Sequence, residues 1–160
     1  MQLDWKETLD GVGWQALSDL YRAAPLGDKP PESLRTAFSN SLFRVLVYEA
    51  GKLVGAGRVL ADGVDCAYLC DLAVRPSHQG SGLGKRIAQR LIELSAGHRK
   101  IILYAAPGKE PFYRALGFRR MATAMAIFDD PAQAEWSGLI EPEAEAEAGG
   151  PKAWSINLPA

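Results

Sequence analysis

The stretch VRPSHQGSGLGKRI, residues 74–87, decides how this chain is read. Glycines stand at 80, 82 and 84, after an apolar run and before an amphipathic one. The run over residues 65–74 reads as a strand. Leu83, Ile87, Leu91 and Leu94 recur along one face of a helix. The glycines thus sit where a strand hands over to a helix. Glycine permits positive φ and lets another group approach the backbone. A helix N-terminus offers N–H groups without intrahelical partners and a partial positive charge. Together these make an anion site suited to a phosphate or pyrophosphate. The amides of residues 79–85 would be the donors, with Lys85 and Arg86 as nearby cations. The glycines alone also allow a structural turn that binds nothing. The dinucleotide pattern GxGxxG fails, because Lys85 stands where its last glycine is needed. The P-loop pattern GxxxxGK[ST] finds no Ser or Thr at the required offset.

The chain has 160 residues, within the usual size of one domain, and 48% of them are apolar, as in a globular protein. A formal net charge of -1 provides no single-sign field, so nucleic acid is not an expected partner. No apolar run is long enough for a membrane span, and the first ten residues lack a signal-peptide pattern. Cys66 and Cys70 suit neither a disulfide framework nor a zinc site, so no metal is expected. A cytoplasmic protein is the expectation.

Working outward from the glycines, residues 3–6 read as a short strand, 13–24 as a helix and 31–39 as a second helix with Pro31 in its first turn. FRVLVYE and the run from Lys52 form a hairpin about Ala50-Gly51. Residues 65–74 are apolar enough for a central buried strand. Downstream come a strand over 100–104, a helix over 110–116 stopped by Gly117, and one or two strands over 118–128. This order predicts an α+β fold with a mixed sheet, not a doubly wound one. The predicted domain spans residues 1–130. Residues 131–160 form a C-terminal extension, acidic over 141–151, with Trp136 and Trp154 as its expected anchors.

The segment DLAVRPSHQGSGLGKRIAQRLIE resembles the acyl-CoA-binding motif of the GNAT superfamily of N-acyltransferases, V-x-P-x-x-[QR]-G-x-G-x-[GA]. Val74, Pro76, Gln79, Gly80, Gly82 and Gly84 meet it. PFYRALGF, residues 111–118, resembles the family's F-Y-x-x-x-G-F turn. The resemblance covers about residues 40–128 and implies a GNAT fold, a mostly antiparallel central sheet flanked by helices. It also implies acetyl-CoA as co-substrate, lying between the strand over 65–74 and the strand over 100–104. The pyrophosphate would rest on Gln79, Gly80, Ser81, Gly82, Leu83, Gly84 and Lys85. The pantetheine would pair with the backbone of Leu72, Ala73 and Val74, and an N–H near Leu72 would hold the developing oxyanion. Phe112 would pack beside the coenzyme against the glycine-led helix. Tyr113 would be the general acid that protonates the leaving thiolate.

The general base stays open. Strand alternation puts Tyr68, Cys70, Leu72 and Val74 on one face, and Leu69, Asp71 and Ala73 on the other. Some relatives carry imidazoles or a glutamate where Tyr68 and Cys70 stand. Asp71 is the nearest carboxylate, and only a bulge would turn it to the first face. A further departure is Ala105-Ala106, where the family often has an asparagine. His78 reads as a loop-bracing or solvated residue, and His98 as a charge favourable to a helix C-terminus.

The N-terminal helices would form the acceptor pocket. GAGRVLADG resembles a G-x-x-R-x-x-x-D turn of bacterial and plastid relatives of serotonin acetyltransferase, with Arg58 and Asp62 as the matching pair. The implied activity is acetyl transfer to the primary amine of a small molecule, and the implied assembly, as often in this family, a homodimer. The alternative is a sensor module that binds acyl-CoA without transferring from it. A third reading, an ATP-binding protein, lacks any magnesium-ligand pattern.

Overall fold

The computed structural model describes residues 2–143. Five strands lie in one sheet in chain order: β1 (Leu3–Lys6), β2 (Phe43–Glu49), β3 (Lys52–Ala61), β4 (Cys66–Val74) and β5 (Lys100–Ile102). β1 to β4 are antiparallel to their neighbours, and β5 runs parallel to β4. This is the mixed, mostly antiparallel sheet that the resemblance implies. α1 (Trp14–Ala23) and α2 (Pro31–Ser39) cover one face, and α3 (Leu83–Leu94) covers the other.

Periodicity explains the layers. Leu17, Leu20 and Tyr21 lie on one stripe of α1 and are fully buried against Leu46, Leu53 and Ala56. Leu83, Ile87 and Leu91 do the same for α3 against Val45, Val54 and Val59. Each such side chain contributes about 1.5–3 kcal/mol. α3 can sit close because β3 has Gly55 and Gly57 beneath it. A Cβ at these positions would come within 2.6 Å of Ile87 Cδ1 and 2.7 Å of Leu91 Cδ1.

Four expectations need correction. The most buried strand is β3; β4 alternates between buried and half-buried residues. β5 ends at Ile102, short of residue 104. Residues 118–128 form no strand. They run as irregular chain, with Ile127 fully exposed and Met125 at 86% exposure, because no neighbouring strand pairs with them among the described residues. Trp136 ends α5 (Pro131–Trp136) and is 83% exposed, so it anchors nothing among the described residues. Trp154 and most of the acidic extension lie outside the described residues.

Candidate active site

β4 and β5 pair over only three positions: Cys66 with Lys100, Ala67 with Ile101, and Tyr68 with Ile102. Beyond Tyr68 the strands part. β4 continues to Val74 with its β5-facing edge open, so Leu72, Ala73 and Val74 border a cleft.

A bulge aims the side chains of β4. Against β3 the pairing steps from Ala73–Ala56 to Cys70–Arg58, which leaves an extra residue on β4. Asp71 takes a left-handed φ of 55° there. Parity breaks at that point. Ala67, Leu69, Leu72 and Val74 belong to the α3 side, while Ala73 packs with α1 and α2. The alternation expected for this strand is therefore wrong beyond Cys70, and Asp71 turns to the α1/α2 face. One Asp71 oxygen accepts from Arg58 Nε at 2.7 Å, and the other lies 3.4 Å from Lys29 Nζ. Tyr21 Oη donates to the Asp71 carbonyl oxygen at 2.7 Å.

Arg58 therefore pairs with Asp71 and not with Asp62. Asp62 instead accepts the N–H groups of Val64, Asp65 and Cys66, which close the β3–β4 turn, and these bonds hold its carboxyl below the usual range. Cys70, beside Asp71, has its thiol pushed up to about 11 by burial, as an inert core cysteine would be.

The glycine loop leaves β4 through a short 3₁₀ turn, Pro76–His78. His78 Nε2 bonds Glu49 at 2.8 Å, and Ser81 Oγ donates to the His78 carbonyl. His78 is thus a brace for the loop. Gln79 donates its backbone N–H to Pro76 and its side-chain amide to the Val74 carbonyl, so the open amides begin at Gly80. Gly80 and Gly82 have φ of 75° and 84°, with open space where a Cβ would stand. Gly82 caps α3, whose first turn holds no acidic residue. The amides of Leu83, Gly84 and Lys85 face outward from that end, with no carbonyl inside the helix to take them. Such a cradle fits a diphosphate.

His98, just past the end of α3, has two partners. Its Nε2 accepts the Gly63 N–H at 3.1 Å, while Nδ1 bonds the Ser95 carbonyl. The ring thus ties the end of α3 to the β3–β4 turn.

The second motif meets the first. α4 (Glu110–Arg114) is closed by Gly117, and the Phe118 N–H returns to the Tyr113 carbonyl. A Cβ at Gly84 would lie 3.8 Å from Phe112 Cζ, so the Phe112 ring rests on the start of α3. Tyr113 packs edge-on against Phe112 and Phe118, and burial raises its hydroxyl pKa. Tyr104 lies just past β5, with ring centres 6.2 Å from Tyr68 and 6.1 Å from Phe128. This aromatic group and the Asp71 cluster on the α1/α2 face join residues far apart in the chain, which local pattern does not bring together.

The described residues hold no group of three or more His, Cys, Asp or Glu placed for a metal ion, and no helix long and apolar enough to cross a membrane. The model of the acetyltransferase (GNAT) family matches residues 14–118, which takes in the open-edged strand, the glycine cradle and the Phe112–Phe118 turn. The chain belongs to the GNAT acetyltransferase family. This GNAT chain is 35% identical over 114 residues to serotonin N-acetyltransferase 2, chloroplastic, of Oryza sativa, covering 68% of this chain and 57% of that protein. It is 32% identical over 117 residues to GCN5-related N-acetyltransferase 1, chloroplastic, of Arabidopsis thaliana, covering 71% of this chain and 59% of the relative. The match thus spans about three fifths of the length of these relatives. A GNAT family acetyltransferase from Streptococcus pneumoniae superposes with a TM-score of 0.67 at 24% identity, over 81% of this chain and all of the other.

Proposed function

We propose that this chain transfers an acetyl group from acetyl-CoA to the primary amine of a small molecule. The observation that carries the reading is the parting of β4 and β5 beyond Tyr68–Ile102, beside a helix N-terminus made accessible by Gly80 and Gly82. Acetyl-CoA supplies the thioester. The chain's own residues do the rest. Amides from Gly80 to Lys85 hold the diphosphate, with the Lys85 ammonium nearby. The open edge of Leu72–Val74 receives the extended arm as a strand receives its neighbour. An N–H at Leu72 stabilises the oxyanion, and the Tyr113 phenol gives a proton to the leaving sulfur.

Asp71 supports an amine acceptor. The bulge turns its carboxylate to the α1/α2 face, where Arg58 holds one oxygen and the other already lies beside an amine, that of Lys29. The Tyr68, Tyr104 and Phe128 rings lie along the same end of β4 and β5 and suit an aromatic body. Serotonin, the amine in the name of the rice relative, combines both features.

Thiol release from acetyl-CoA, followed across serotonin, tryptamine, tyramine and putrescine, tests the reading. Turnover with at least one amine is expected. Tight binding of acetyl-CoA without turnover by any amine would favour the sensor reading.

A further inference from the structure

The acceptor side of the cleft already holds a primary amine. Lys29 lies on the connection between α1 and α2, and its Nζ stands 3.4 Å from Asp71 Oδ1. Asp71 directly precedes Leu72, on the stretch of β4 whose edge is open. An acetyl thioester whose oxyanion is held by the Leu72 amide is therefore delivered beside this lysine.

Lys29 differs from the chain's solvated lysines. Its side chain is 32% exposed, and its Nζ lies 5.6 Å from the centre of the buried Tyr21 ring. The loop that carries it is fastened at both ends. The Leu26 N–H donates to the Tyr21 carbonyl, and the buried Ser18 donates its hydroxyl to the Lys29 carbonyl at 2.6 Å. Pro30 and Pro31 stiffen the exit. The ammonium is thus held in one region, and a held nucleophile reacts far faster than a diffusing one.

We propose that Lys29 is itself an acetyl acceptor, a self-acetylation site of this chain. This rests on the transferase reading above. The Lys29 ammonium first gives a proton to solvent water by way of Asp71. The freed Nζ electron pair forms a bond to the acetyl carbonyl carbon, and the second Nζ proton is lost to water. The carbon–sulfur bond breaks, sulfur keeps its electron pair, and Tyr113 protonates it; water then restores the phenol. The products are the CoA thiol and Nε-acetyl-Lys29. The neutral amide no longer pairs with Asp71 Oδ1, and the carboxylate keeps its bond to Arg58.

The test needs no knowledge of the natural acceptor. The purified chain is incubated with deuterium-labelled acetyl-CoA, and binding is followed in parallel by calorimetry. Trypsin spares Lys29 because Pro30 follows it, so fragment 23–35 reports the site whether or not it is acetylated. Label is expected on that fragment ahead of the exposed Lys52 and Lys109, by about tenfold or more. The rate per chain should not depend on protein concentration, and Tyr113→Phe should slow it. Bound acetyl-CoA with label spread evenly over the exposed lysines, or absent from Lys29, overturns the inference and leaves the transferase reading intact. A rate that rises with protein concentration overturns it as well. Failure of acetyl-CoA to bind overturns both.

Discussion

The Tyr21 hydroxyl donates to the carbonyl oxygen of Asp71 at 2.7 Å, which ties the buried face of α1 to the left-handed residue of β4. A non-glycine residue at positive φ is costly and persists only where its surroundings hold it. Here Tyr21 takes the carbonyl and Arg58 takes the carboxylate. The bulge beside the cleft is therefore secured from the helical layer.

Tyr21→Phe keeps the ring and removes the hydroxyl, leaving a buried carbonyl unpaired. A loss of about 1–3 kcal/mol is expected in urea unfolding. Acetyl transfer should fall with it, because the Leu72 amide follows the bulge. Unchanged stability would mean that water replaces the hydroxyl.

The glycines of the cradle should separate into two kinds. Gly82→Ala forces a Cβ into the left-handed region at the cap of α3, at about 1–2 kcal/mol, and should weaken acetyl-CoA binding. Gly84 is helical, and a methyl group there meets Val74 and Phe112 only at contact distances of 3.4 and 3.8 Å. Gly84→Ala should keep near wild-type stability. Thermal unfolding and calorimetry of the two variants check the contrast.

Tyr113→Phe preserves the packing on Phe112 and Phe118. Loss of a general acid should lower kcat by about 10²-fold or more with little change in acetyl-CoA affinity. A matched loss of affinity would assign Tyr113 to binding instead.

Cys70 sets an alkaline signature. Its thiol is pushed up to about 11 in the folded chain, chiefly by burial, from an ordinary value near 9. The folded state thus keeps this proton longer than the unfolded state. Its contribution to stability is complete below the ordinary thiol range and is lost as pH rises through about 11. Cys70→Ala should flatten that decline. Native Cys70 should resist iodoacetamide at neutral pH and react as pH approaches its raised value.

Much of this architecture is written in short-range pattern. The spacing of Leu17, Leu20 and Tyr21, and of Leu83, Ile87 and Leu91, locates α1 and α3 because one helix face must be apolar. Pro31 and Gly117 punctuate α2 and α4 for local steric reasons. The glycine cradle and the turn at Phe112 are legible for the same cause. What escapes local pattern is decided by partners far along the chain. Alternation alone sends Asp71 to the wrong face, since the bulge depends on Tyr21, fifty positions away. Arg58 selects Asp71 over the nearer Asp62 because Asp62 is already saturated by turn amides. Residues 118–128 carry apolar, strand-like composition, but composition supplies no neighbouring strand to pair with.

The brief contact of β4 with β5 has one more consequence. On the proposed reading, a chain that seals its sheet over only three positions would borrow its missing rib from the molecule it consumes. Each coenzyme arm that entered would add hydrogen-bonded rungs to β4, so the fold should be firmest when substrate is plentiful and loosen as supply fails.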